Sequence, residues 1–183
     1  MADQIRFDGL EVSHTKNNIT SDEKKNITCC FSGHRKLNPT PVLYSKLREA
    51  IIRAYKLGYR NFCAGGALGF DTVAALTVLA LKRSSFPDIS LKLILPYRNQ
   101  HESWSEHNKK IFETVLSEAD IIDYVSEEYF KGCMFVRNRR LIESSSYCIC
   151  YLENPESGTA FTVKLAQKNG LSVVNLANSI KTR

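Results

Sequence analysis

The chain of 183 residues has no apolar run near the roughly 18–20 residues that a membrane helix needs. A helical membrane protein is therefore excluded as an expectation. The stretch Met1–Asn26 is polar and lacks the apolar segment of a secretory signal, so a cytoplasmic location is expected. None of the six cysteines forms a CxxC pair, which argues against a zinc ribbon or a dithiol redox site. Cys29, Cys30, Cys148 and Cys150 fall inside apolar β-like runs, where a free thiol acts as a small hydrophobe. Cys63 and Cys133 are isolated, and no disulfides are expected in a reducing compartment. His101 and His107 stand six apart and match neither the i,i+4 pair of a zinc helix nor HExxH, so no metal site is expected, and no cofactor is expected either. The chain also lacks internal repeats, low-complexity segments and an interdomain linker. Its length suits one domain, and 43% apolar residues suffice for one core.

What is present begins with charge. The net charge is +6, and Met1–Asn26, with four basic and five acidic residues, carries none of that excess. Basic residues cluster at Lys24-Lys25, Lys109-Lys110 and Arg137–Arg140. Such a surface suits an anionic ligand or a nucleic acid. Aromatic residues that would interleave with basic clusters to stack on single-stranded bases are sparse around Arg137–Arg140, so nucleic acid is the less favoured partner.

Residues 1–26 have no clear apolar period and read as a polar, flexible N-terminal tail, with a single domain over 27–183. Apolar runs bounded by turn residues predict strands at 27–32, 60–64, 90–95, 120–125, 147–152 and 171–176. Helical periods predict helices from Thr40-Pro41 to Gly58, over 70–84, over 103–119 and over 157–169. The stretch 131–144 reads as a loop feeding a helix. Strand and helix alternate, which predicts an α/β, Rossmann-like, three-layer fold with a mainly parallel sheet and helices on both faces.

Ligands of such sheets bind beyond the carboxyl ends of the strands. Four segments lie there: Gly33-His34-Arg35-Lys36, Gly65-Gly66-Ala67-Leu68-Gly69-Phe70-Asp71, Pro96-Tyr97-Arg98-Asn99-Gln100, and Glu153 through Ser157-Gly158-Thr159. The second and fourth join glycine to a helix start, where free N–H groups and the positive dipole end attract an anion. The same glycines also suit an ordinary turn. The convergence of all four segments on one sheet edge favours a pocket for a nucleotide or a nucleotide-derived molecule.

Ser32-Gly33-His34-Arg35, the Gly65–Asp71 segment, Leu95-Pro96-Tyr97, Arg137-Asn138 and Gly158-Thr159-Ala160 occur in the order seen in YpsA-like proteins. The chain resembles this family over about residues 27–177. The family belongs to the SLOG superfamily, with the DprA/Smf proteins and the LOG-type nucleotide hydrolases. The resemblance implies a Rossmann-like fold that binds nucleotides or their derivatives at its strand ends, and it implies a homodimer. It also implies two alternatives: a phosphoribohydrolase of LOG type and a DprA-like binder of single-stranded DNA.

The candidate residues carry stated roles. Gly65, Gly66 and Gly69 would bring backbone N–H groups to a phosphate, or simply turn the chain. Asp71 would cap its helix or accept from ribose hydroxyls. Arg35 would clamp a phosphate, and His34 reads as a donor or as a satisfied side chain. Tyr97 and Trp104 would stack on a base or fill the core. By resemblance Arg137, with Asn138, faces the ligand and would be the catalytic arginine of an enzyme. Helical spacing lets only one or two of Arg137, Arg139 and Arg140 point inward. Ser157, Gly158 and Thr159 form the second anion site. The catalytic glutamate of LOG-type hydrolases falls on Thr162, and a hydroxyl cannot stabilise a developing sugar cation as a carboxylate does. Glu153 and Glu156 lie nearby in sequence. Binding without that catalysis is the expectation.

Overall fold

The computed structural model describes residues 20–180. The segment 1–19 of the expected tail lies outside the described residues, as do 181–183. Elements follow in the order α1 (Ser21–Asn26), β1 (Thr28–Gly33), α2 (Pro41–Lys56), β2 (Asn61–Ala64), α3 (Phe70–Ser84), β3 (Ser90–Leu95) and α4 (Glu106–Glu118). They continue through β4 (Ile121–Tyr124), α5 (Cys133–Glu143), β5 (Tyr147–Tyr151), α6 (Gly158–Lys168), β6 (Ser172–Asn175) and α7 (Leu176–Ile180). All six strands are parallel, in the order β4-β3-β2-β1-β5-β6.

That order makes the site. The chain steps outward from β1 to β4, then returns across the sheet to place β5 on the free side of β1. In register, Cys30 pairs with Cys148 and Ser32 with Cys150. The reversal opens a crevice beyond the carboxyl ends of β1 and β5, the topological switch point of an open α/β sheet.

Two cores lie on the two faces. On one, Phe31, Phe62, Leu91 and Leu93 pack against Leu43, Leu47, Phe70, Ala74 and Val78 of α2 and α3. Phe31 stacks on Phe62 with centroids 6.1 Å apart and meets Phe70 edge-on at 6.5 Å. On the other face, Cys30, Cys63, Cys148 and Cys150 meet Leu141 and Ile142 of α5 and Val163 and Ala166 of α6. Thiols there keep the sheet side thin. Burial raises the Cys63 and Cys150 thiols to about 12, so these two remain protonated core groups.

Local signals explain most element bounds. Thr40 caps α2 through the Leu43 N–H at 3.2 Å, with Pro41 in the first turn. Two elements depart from the sequence reading. Ser21–Asn26, read as tail, forms a short helix closed by a Thr20/Glu23 capping box. Leu176–Ile180, at and beyond the end of a strand expected at 171–176, forms the short helix α7.

Candidate functional site

A cavity of about 330 Å³ fills the switch point. Three strand-end segments and α5 line it. The β1 end gives Ser32, Gly33, His34 and Arg35; α3 gives Asp71; α5 gives Met134, Phe135, Arg137, Asn138 and Leu141; the β5–α6 turn gives Ser157, Gly158, Thr159 and Thr162. Nine of the residues expected from the sequence therefore meet in one place.

Arg137 is its buried cation. Its side chain is 5% exposed, and Nη1 donates to the Gly65 carbonyl oxygen and faces Asp71 Oδ2 at 3.5 Å. Asp71 Oδ2 also accepts from the Ala67 N–H at 3.4 Å. Asp71 thus serves neither as a cap of its own helix nor as a free acceptor. It is the counter-ion of Arg137. Burial raises the Asp71 carboxyl above its ordinary range, although Arg137 pulls it down. Burial likewise lowers the Arg137 guanidinium, against the pull of Asp71. Desolvation outweighs attraction for both partners. The Arg137 Nε–H is buried and has no hydrogen-bond partner among the described residues. A buried charged donor without an acceptor is costly.

The α6 start supplies further donors. Ser157 Oγ accepts from the Ala160 N–H at 3.2 Å and donates to the Asn154 carbonyl at 2.7 Å. This cap leaves the N–H groups of Gly158 and Thr159 without partners among the described residues. No atom lies within 4 Å of where a Cβ on Gly158 would sit, so the turn is open above that residue. Arg35 adds an exposed guanidinium, whose Nη2 lies 3.4 Å from Met134 Sδ.

His34 holds the walls together. Its Nε2 accepts from the N–H groups of Glu153 at 3.0 Å and Asn154 at 3.3 Å, which clips the β1 loop to the β5 loop. Its carbonyl accepts from the Phe70 N–H at 3.1 Å. Of the two roles open in sequence, the satisfied side chain is the one present. Asn138 Nδ2 donates to Thr162 Oγ1 at 2.9 Å, and Thr162 donates in turn to the Gly158 carbonyl at 3.1 Å. Thr162 is buried. Glu153 and Glu156 are exposed and do not line the cavity, which leaves Asp71 as its one acidic lining residue.

Five expected residues need correction. Gly65, Gly66 and Gly69 do not line the cavity; they pack. A Cβ on Gly65 would run into Arg137 Nη1, so glycine is what lets the guanidinium reach that backbone. Gly66 lies against Leu95 and Gln100, whose Nε2 donates to the Gly66 carbonyl at 2.9 Å. Gly69, with φ +80°, brings its backbone against the His34 and Arg35 carbonyls. Trp104 packs on Phe112 with centroids 5.1 Å apart and joins the core. Tyr97 meets Tyr129 edge-on at 5.6 Å, away from the lining.

Met134, Phe135 and Leu141 were not among the expected residues. Met134, Arg137, Asn138 and Leu141 follow an i, i+3, i+4, i+7 spacing that marks one helix face, so two of the three were legible in principle. Phe135 is 61% exposed and touches Phe161, itself 52% exposed, edge-to-face at 5.7 Å. The sequence expectation of few aromatics beside the arginine cluster overlooked this pair.

With this geometry in hand, comparison with known proteins gives a consistent picture. The family model described as the YspA SLOG family matches residues 29–176. A UPF0398 protein of Brevibacillus brevis is 29% identical over 135 residues, covering 72% of this chain and 71% of that protein. A UPF0398 protein of Bacillus cereus (strain AH187) is 31% identical over 131 residues, covering 68% of each chain. Among solved structures, DNA processing protein A from Helicobacter pylori, studied for its single-stranded DNA binding mode, aligns with a TM-score of 0.58 at 22% identity. DprA from Streptococcus pneumoniae aligns with a TM-score of 0.59 at 18% identity. These alignments cover 84% and 83% of this chain but only 65% and 50% of those proteins. At such identity the likeness speaks to the Rossmann-like fold.

Proposed function

This chain belongs to the YspA SLOG family, and from that premise we propose that it binds a nucleotide or nucleotide-derived ligand in the switch-point cavity. The observation that carries the reading is the buried Arg137 guanidinium, which lines a cavity shared with the open α6 start and whose Nε–H has no hydrogen-bond partner among the described residues. The ligand's phosphate lies at the Gly158 and Thr159 N–H groups, where a helix dipole favours negative charge. Arg137 supplies a second, desolvated donor, and Arg35 closes over the anion from the rim. A cavity of about 330 Å³ is at the small end of ligand sites, which suits a mononucleotide-sized group.

Binding or sensing, rather than hydrolysis of the base–sugar bond, is the activity this lining supports. The position for a catalytic carboxylate holds Thr162, and Asp71 is engaged by Arg137. Incubation with nucleoside monophosphates therefore releases no free base by chromatography.

Thermal unfolding in the presence of nucleoside monophosphates, ADP-ribose and dinucleotides tests the reading. A ligand selective for the native state at 100 times its Kd adds about 2.7 kcal/mol of stability. At least one member raises the Tm of the wild type and fails to raise that of Arg137→Met. A panel in which no member raises the wild-type Tm defeats the proposal.

A second reading, single-stranded DNA binding, is favoured by the exposed Phe135–Phe161 pair, whose Phe135 stands on a helix that also carries the exposed Arg139. Its signature is oligonucleotide affinity that falls steeply with salt.

A further inference from the structure

We propose that Phe135, braced by Phe161, is the seat for the base of the bound nucleotide, and so the part of the site that prefers nucleotides to sugar phosphates. This rests on the nucleotide reading above. Neither ring is placed by core packing. The buried residues of α5 are Cys133, Arg137, Leu141 and Ile142, and those of α6 are Thr159, Ala160, Thr162, Val163 and Ala166. Phe135 and Phe161 fall outside both sets, yet the two rings meet at 88° across the gap between the helices. An edge-to-face pair is mutually attractive and restricts each ring's orientation. Phe135 lines the same cavity as Arg137, two residues further along α5. Phe161 stands on the first turn of α6, whose N-terminus is the proposed phosphate seat. Aromatic surface and anion donors are therefore adjacent and continuous, as a molecule with a flat base at one end and a phosphate at the other requires.

A second copy of this chain would be the other occupant of an exposed aromatic patch. Two phenylalanines bury at most about 250 Å² each. That falls well short of the roughly 800 Å² per partner of a stable interface. The position of Phe135 on the cavity wall favours the base.

The test uses wild type, Phe135→Ala, Phe135→Tyr and Phe161→Ala, titrated calorimetrically with AMP, UMP, ribose 5-phosphate and oligo(dT). Both phenylalanines are more than half exposed, and unchanged apo Tm values verify folding. Base–aromatic stacking predicts that Phe135→Ala weakens AMP about tenfold or more and leaves ribose 5-phosphate unchanged. Phe135→Tyr retains AMP affinity, and Phe161→Ala gives a smaller loss. Equal affinity of wild type and Phe135→Ala for AMP and UMP overturns the inference and leaves the nucleotide reading standing. A loss confined to oligo(dT), or a change of oligomeric state with nucleotide affinity intact, overturns it in the same way. No binding of any mononucleotide to the wild type overturns the nucleotide reading and this inference together.

Discussion

Two glycine-containing turns follow β2 and β5, and from their residues they look alike: each joins a strand end to a helix start. In the folded chain they do opposite work. The turn after β2 is filled. Gly65 backs onto Arg137, Gly66 onto Leu95 and Gln100, and Gly69 onto two carbonyls of the β1 loop. The turn after β5 is open, with no atom within 4 Å of the Cβ position of Gly158 and two N–H groups without partners among the described residues. Glycine in the first turn gives room to other parts of the protein. In the second it gives room to a ligand. The filled turn still serves the open one, because it lets Arg137 cross to the cavity and anchor there.

Substitutions separate the two turns, and the largest effect falls on the filled side. Asp71→Ala leaves a buried guanidinium without its counter-ion, which costs about 3–5 kcal/mol by denaturant unfolding. Gly65→Ala places a methyl group against Arg137 and costs about 1–3 kcal/mol, with ligand binding lost as the arginine is displaced. On the open side, Ser157→Ala removes the α6 cap for about 1 kcal/mol. The smallest effect on stability belongs to Gly158→Ala, which has space for its methyl group and changes stability by less than about 0.5 kcal/mol. The same substitution weakens the nucleotide, because the methyl group enters the phosphate seat. A loss of stability from Gly158→Ala equal to that from Gly65→Ala would erase the contrast.

The fold was largely readable because its parts are local. Strand β3 and helix α3 fall on the bounds that their apolar periods predict. The capping box at Thr20 and Glu23 was also written in the chain, but its polar context read as tail. Helix α5 begins at Cys133 after Gly132, whose φ is +99° and which offers no capping side chain, so no side-chain start signal marked it. Without that start, the cavity face through Met134 and Leu141 went unseen. Strand order was the deeper gap. Only the return of β5 to the side of β1 decides which strand-end segments share a cavity and which pack away from it. The contact of Arg137 with Gly65 spans 72 residues, beyond the reach of any local pattern.

The central claim is that the phosphate of a nucleotide sits between the α6 start and Arg137. A crystal structure with the nucleotide that most raises the Tm tests it directly. The account predicts phosphate oxygens within about 3.2 Å of the Gly158 or Thr159 nitrogen and of Arg137 Nε. A nucleotide lodged elsewhere, such as the separate cleft bordered by Lys24, Lys92 and Arg140, with Arg137 Nε still unpaired, would contradict it.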